Sequence, residues 1–379
     1  MVQEVGLSMK YRTMKIVGDV PGADAKAPRA PFAWRVLESG RVPDAVVRAA
    51  IRRLLRQRLS QEDKGSPELQ QAHFMALLDR LKASPIALQT NAANSQHYEI
   101  PAEFYRLCLG PQLKYSCAYW PAGVRTLTEA EQAMLDLTAK RAQLSDGQHV
   151  LELGCGWGSL SLYLAKKYPR SRIFAVSNSS SQKEFIDAQA AAFGLRNLEI
   201  VTADINAFSP TQKFDRVVSV EMFEHLRNYE TLLARIASWM NNAALLFVHI
   251  FSHTRFAYTF DVRDASDWMA QNFFTGGIMP SDDLLLYFQR DLKIQQHWRL
   301  SGTHYQKTAE CWLSHLERNR ADILDLFSET YASTLTEKSR QTEAFRWFIR
   351  WRVFFMSCAE LWGYNGGMEW IVSHYLFAR

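Results

Sequence analysis

The sequence predicts an α/β protein built on a mostly parallel sheet, on three observations. Between residues 148 and 250, apolar strand-like runs alternate with short helical stretches, the pattern of a parallel sheet covered on both faces. The first run breaks at Gly154-Cys155-Gly156-Trp157-Gly158 before a Leu-rich stretch. Strand, glycine turn and helix in that order let a backbone approach a nucleotide-like ligand. The runs end at Gly154, Ser177, Asp204, Glu221 and His249, and ligands of such sheets sit at the carboxyl ends of the strands, so these five residues should surround one crevice.

Residues 1–34 carry Gly, Pro, Ala and charge without any period and read as a flexible tail. Pro43-Asp44 opens a helical pattern to about residue 59, with Val47, Ile51, Leu55 and Leu59 on one face and Arg48, Arg52, Arg53, Arg56 and Arg58 on the other. Such a basic helix could make peripheral contact with an anionic membrane; a helix docked on the domain with its charges in water is the preferred reading. Ser66-Pro67 starts a second helix that ends before Pro85. Residues 91–120, rich in aromatic and polar groups, suit a lid or substrate-facing layer. Thr128 with Glu131 matches a capping box, which places a helix start near Glu129.

Strands are expected at 148–153, 172–177, 198–202, 215–220 and 243–250, with helices at 158–168, 181–193 and 228–240. Residues 251–290, with FFTGGIMPSDD, read as a structured insertion that builds the substrate pocket. A strand near 294–300, helices at about 308–331 and 336–362, and a final strand containing Trp370, Val372, Tyr375 and Phe377 close the chain. The expected organisation is thus a tail (1–34), a helical region covering the active site (35–125) and the α/β core (126–379), with cap insertions at about 251–290 and 308–362.

The basic residues are dispersed and the net charge is +5, which does not point to nucleic acid. Five cysteines form no C-x-x-C pair, which argues against a disulfide framework or a structural zinc; no metal is expected. The first twenty residues lack the apolar core of a signal peptide, and no stretch approaches the ~18 apolar residues of a membrane span, so a cytoplasmic protein is expected.

The glycine turn is not a dinucleotide fingerprint. The third glycine falls at Gly158, and the second strand ends in Ser177-Asn178 instead of an acid for the ribose. No Gly-Lys-Ser/Thr follows, so a phosphate-cradling P-loop is excluded. An uncharged glycine loop with Glu152 beside it suits a ligand with a positive centre, such as a sulfonium, better than a pyrophosphate.

ELGCGWG, with VSNSSSQ, TADI and SVEMFEH, resembles the class I S-adenosylmethionine-dependent methyltransferases. QHYEIP, LKYSCAYW, MFEH and LFVHIF narrow the resemblance to the cyclopropane fatty acid synthase superfamily. SNSSSQKEF, SVEMFEHLRNYE, LFVHIFSH, FFTGGIMPSDDLLLYFQ and WRVFFMSCAELWGYNGGMEWIVSHYLF are similar to its coclaurine N-methyltransferase-like branch. The resemblance runs from about residue 40 to the C-terminus. It implies a Rossmann-like methyltransferase fold, with a seven-stranded mostly parallel sheet, an N-terminal helical extension and a helical substrate cap. It also implies S-adenosylmethionine as methyl donor. Tyr115 and Ser116 would then touch the methionine part, Gly154 and Gly156 line the cofactor, Ser177, Asn178 and Gln182 reach the ribose, and Asp204 and Ile205 flank the adenine.

Methyl transfer is an in-line displacement in which positioning does most of the work. An amine acceptor must attack unprotonated, which calls for carboxylates to attract its ammonium form and a base near neutral pKa to take the proton. Glu221, Glu224 and His225 are clustered at a strand end; in the N-methyltransferase branch this cluster is associated with catalysis, and His225 with Glu224 is the expected base pair, Glu221 and Glu224 being the carboxylates that orient His225 or the amine. Glu99 is a further candidate acid, and Phe251, Phe274 and Tyr287 are candidate substrate contacts. Phe273, Phe288, Trp298 and Trp351 could join them in an aromatic pocket.

The lipid-modifying branch instead holds a bicarbonate as base, and its matching residues here are Cys117, Glu224, His249 and Tyr305. The departure is Glu221, where those enzymes carry Gly. An acid there favours a small-molecule amine, with a fatty-acyl phospholipid as the alternative substrate. A homodimer is the one protein partner considered.

Overall fold

The computed structural model describes residues 32–88, 100–260, 273, 276–330 and 336–379. The N-terminal helices are α1 (Phe32–Glu38), α2 (Asp44–Glu62), α3 (Pro67–Ala83), α4 (Ala102–Cys108) and α5 (Leu127–Arg141). Then β and α alternate: β1 (His149–Leu153), α6 (Ser159–Lys167), β2 (Arg172–Ser177), α7 (Ser180–Ala192), β3 (Leu198–Thr202), β4 (Phe214–Val220), α8 (Tyr229–Trp239) and β5 (Met240–His253). After the short β6 (Tyr258–Thr259), β7 (Ile278–Met279) and β8 (Lys293–Leu300) come α9 (Gly302–Arg318), α10 (Arg320–Thr330), α11 (Glu337–Gly363) and β9 (Trp370–Ala378).

Seven strands form one sheet in the order β3-β2-β1-β4-β5-β9-β8. The first five pair in parallel, while β9 runs antiparallel to both β5 and β8. The parallel strands are apolar on both faces because helices cover both; Leu151, Leu153, Val217, Val218, Leu246 and Val248 are all buried. This is the expected seven-stranded methyltransferase architecture.

Two local expectations need correction. The capping box is Thr126 with Glu129, so α5 starts at Leu127. Thr128-x-x-Glu131 matches the same pattern, but Glu131 points inward and accepts the Gln112 N–H at 3.0 Å. The helix expected at 308–331 starts six residues earlier, capped by Ser301, and breaks at Asn319. Asn319 donates its side-chain amide to Leu107 O at 2.7 Å, which ties the break to α4. The expected tail lies almost wholly outside the described residues, as does part of the 251–290 insertion.

The basic face of α2 is docked on the cap helices. Arg48 reaches Glu310 at 2.6 Å and Glu360 at 2.9 Å, Arg52 reaches Glu360 at 2.7 Å, and Asp44 accepts from Arg352 at 2.6 Å. These charge-assisted pairs clamp α2 over the carboxyl edge of the sheet. Among the described residues no helix is long and apolar enough to cross a membrane.

Candidate active site

A cavity of about 1230 Å³ opens at the carboxyl ends of β1, β2 and β4, with α2 on the far side. Its floor is the glycine turn. Gly154 has φ +79°, and a Cβ there would meet the Met222 side chain at 2.8 Å. A residue with a side chain could therefore neither hold this conformation cheaply nor fit beside Met222. All nine expected cofactor contacts line this one space: Tyr115, Ser116, Gly154, Gly156, Ser177, Asn178, Gln182, Asp204 and Ile205. Ser177 donates its hydroxyl to Gln182 Oε1 at 2.7 Å. That fixes the Gln182 amide and leaves its buried Nε2 without a partner among the described residues.

Glu221 is the hub of the other end. Its Oε1 accepts the Cys117 N–H at 2.8 Å and pairs with His249 Nε2 at 3.1 Å, and its Oε2 accepts the Tyr305 hydroxyl at 2.7 Å. A carboxylate only accepts, so His249 carries its proton on Nε2. Glu221 also sits at φ +48°, a left-handed conformation that costs a non-glycine residue about 1–2 kcal/mol. Burial holds its carboxyl above the ordinary carboxylate range, with Lys114, the Cys117 N–H, Tyr305 and His225 opposing that rise.

The expected catalytic residues separate into two layers. Glu221, His225 and Tyr305 line the cavity; Cys117, Glu224 and His249 do not. Cys117 acts through its backbone, since its thiol faces Ala118 O at 3.2 Å. Glu224 turns away, its Oε1 accepting the Phe251 N–H at 2.7 Å. Burial, and then Glu221, hold the Glu224 carboxyl well above the carboxylate range. It therefore braces the β5 backbone and does not line the cavity beside Glu221. Burial lowers His225, with Glu221 opposing. Burial and the cations Lys114 and Arg141 drive His249 well down, so it stays a neutral donor.

Phe251 lines the cavity and packs on Trp362 at 5.5 Å. Tyr287 does not: it lies on the turn Leu284–Tyr287, 41% exposed, with its ring edge against Phe74. Glu99 and Phe274 fall outside the described residues. Phe273, Phe288, Trp298 and Trp351 are packing residues off the cavity; Phe273 and Trp351 meet at 5.1 Å in the core. The aromatic wall is instead built by Tyr305, Trp312, Trp362 and Phe354 from α9 and α11, with Tyr305 stacked on Trp362 at 4.7 Å. Sequence reasoning missed Lys114, a buried lysine on this wall; its place beside Tyr115-Ser116 was the available signal. Among the described residues no cluster of His, Cys, Asp or Glu fits a metal.

Comparison with known proteins bears on the family and the fold. Residues 87–345 match the mycolic acid cyclopropane synthetase family. The chain is similar to (S)-coclaurine N-methyltransferase of Thalictrum flavum subsp. glaucum, 42% identical over 90% of this chain and 94% of that protein. A crystal structure of coclaurine N-methyltransferase bound to N-methylheliamine and S-adenosylhomocysteine superposes with a TM-score of 0.86 at 40% identity, covering 92% of this chain and 99% of the other. A mycolic acid cyclopropane synthase complexed with S-adenosylhomocysteine shares the fold, with a TM-score of 0.62 at 22% identity over 77% of this chain and 99% of that one.

Proposed function

The chain is an S-adenosylmethionine-dependent methyltransferase of the mycolic acid cyclopropane synthetase family, and we propose that its acceptor is the nitrogen of a small aryl-alkyl amine. The observation that carries this reading is the Glu221 carboxylate, which takes the donors of Cys117, His249 and Tyr305. A bound bicarbonate base would need those same donors. With a carboxyl group already in the chain at that point, its ionised form supplies the negative charge that attracts an ammonium.

The residues present fit the methyl donor. The turn at Gly154 leaves room that a Cβ would fill, and Gln182 Nε2 is a buried donor with no partner among the described residues. Tyr115 and Ser116 would hold the methionine part, Gly154 and Gly156 line the cofactor, Ser177, Asn178 and Gln182 reach the ribose, and Asp204 and Ile205 flank the adenine. When bound, S-adenosylmethionine supplies an electrophilic methyl on a sulfonium.

The protein's own part is positioning and proton handling. Glu221 draws in the protonated amine, and the wall of Tyr305, Trp312 and Trp362 packs its apolar body with capacity for cation–π contact. His225, held below its ordinary pKa by burial, takes the proton so that the nitrogen lone pair is free. Glu224 stiffens the Phe251 backbone from behind. The test is transfer of labelled methyl to a panel of benzylisoquinoline-like and simple arylalkyl amines. Turnover of at least one amine is expected; methylation of none, alongside modification of unsaturated phospholipid, would overturn the reading.

The size and apolar wall of the cavity favour one second reading, a fatty-acyl phospholipid as acceptor with bicarbonate as base. It predicts an altered acyl mass profile in cells making the protein. An unchanged profile counts against it.

A further inference from the structure

Lys114 is a buried ammonium with less protein around it than its charge requires. It is 4% exposed and lines the cavity; among the described residues it is the buried lysine or arginine on that wall. The ammonium has three donors. Ser116 Oγ takes one of them, and among the described residues Lys114 forms no ion pair. A buried ammonium with so few hydrogen-bond partners is costly.

Its placement is enforced by the loop that carries it. Gly110 lies so close to Glu131 that a Cβ would sit 2.5 Å from the carboxylate, and the Gln112 N–H donates to the same group at 3.0 Å. Beyond Lys114, the Cys117 N–H is fixed on Glu221 at 2.8 Å. The segment is thus pinned at both ends by buried glutamates, with Lys114 and Ser116 between them and facing the cavity. Glu152 and Glu221 line the same cavity, and they would repel any anion that enters without a cation of its own.

We propose that Lys114 binds the α-carboxylate of the cofactor's methionine, through the donors that Ser116 leaves free. The inference rests on the cofactor reading above. It makes Lys114 the buried cation that lets an amino-acid carboxylate sit in the same cavity as Glu152 and Glu221. Burial lowers Lys114, while Glu221, Cys117, Glu131 and Glu152 raise it; a bound carboxylate adds to the raising side.

Isothermal titration with two ligands tests this. One is S-adenosylhomocysteine. The other is its decarboxylated analogue, S-adenosyl-3-thiopropylamine, which keeps the amino group and lacks the carboxylate. The wild-type protein should prefer S-adenosylhomocysteine. Lys114→Met should weaken S-adenosylhomocysteine by about 10- to 100-fold, the range for a charge-assisted hydrogen bond, and change the analogue by less than about threefold. Retained affinity for the analogue shows that the variant is folded. If Lys114→Met binds neither ligand, Lys114→Gln is read by the same ratio. Equal loss for both ligands, no loss for S-adenosylhomocysteine, or a wild-type protein that does not distinguish them would overturn the proposal. A wild-type protein that binds neither would instead overturn the cofactor reading.

Discussion

Replacing Glu221 by glycine separates the carboxylate from the anion site it fills. The change removes the acceptor of the Cys117 N–H, the His249 Nε2–H and the Tyr305 hydroxyl. It also relieves a φ of +48°, which returns about 1–2 kcal/mol of backbone strain against about 1–3 kcal/mol for each donor left buried without a partner. The variant should therefore fold with reduced stability. A carboxylate about 4 Å from an ammonium is worth up to about 4 kcal/mol at an effective dielectric near 20. Its loss should lower kcat/KM for amine methylation by about 10²- to 10³-fold. Because three donors remain aimed at one point, formate or bicarbonate at millimolar concentration should recover at least about tenfold of that loss. The assay is labelled methyl transfer to an amine in degassed buffer, with and without the anion. A kcat/KM within about threefold of wild type refutes the role of the carboxylate. A loss that no small anion restores refutes the anion site.

Other outcomes follow from the same geometry. Gly154→Ala forces a Cβ to 2.8 Å from Met222 at φ +79°; a cost of about 1–3 kcal/mol in urea unfolding is expected, with weaker S-adenosylhomocysteine binding by calorimetry. His225→Gln should lower kcat by about 10²-fold and remove the acid limb of the pH–rate profile. In the wild type that limb should lie below pH 6.5, because burial lowers the imidazole. Burial raises Glu131 to about 7, so its contribution to stability is fully present below the ordinary carboxyl value and lost as pH rises through about 7. Glu131→Gln should therefore stabilise the protein by about 1–3 kcal/mol at pH 8.5 and little at pH 4.5, read from denaturant melts at both. His253 and His304 are each held down to about 4 by burial. Their contribution is present above the ordinary histidine value and lost as pH falls toward 4, so Tm should fall across that window.

What the sequence made legible was what is local. The strand ends and the glycine turn are set by residues next to one another, and all nine expected cofactor contacts meet in one cavity. The acid end was legible only by residue type. Glu221 draws its three partners from 104, 28 and 84 residues away, and no short spacing encodes those meetings. Glu224 and His225 are adjacent in sequence, yet a single-turn 3₁₀ helix at Phe223–His225 sends one to the β5 backbone and the other to the cavity. Aromatic type does not say which face a ring occupies. Tyr287 is on a surface turn, while Trp312 and Trp362, from helices read only as a cap, form the wall. Two overlapping Thr-x-x-Glu runs competed for the α5 cap, and burial of Glu131 decided between them.

The central claim is that an acceptor nitrogen meets the methyl group at the Glu221–His225 end of the cavity. A crystal structure with S-adenosylhomocysteine and an N-methylated product tests it most directly. The product nitrogen should lie within hydrogen-bonding distance, about 3 Å, of Glu221 or His225, with the thioether sulfur facing its methyl. A nitrogen lodged along α2, or a bound anion displacing the Glu221 carboxylate from Cys117, His249 and Tyr305, would contradict it.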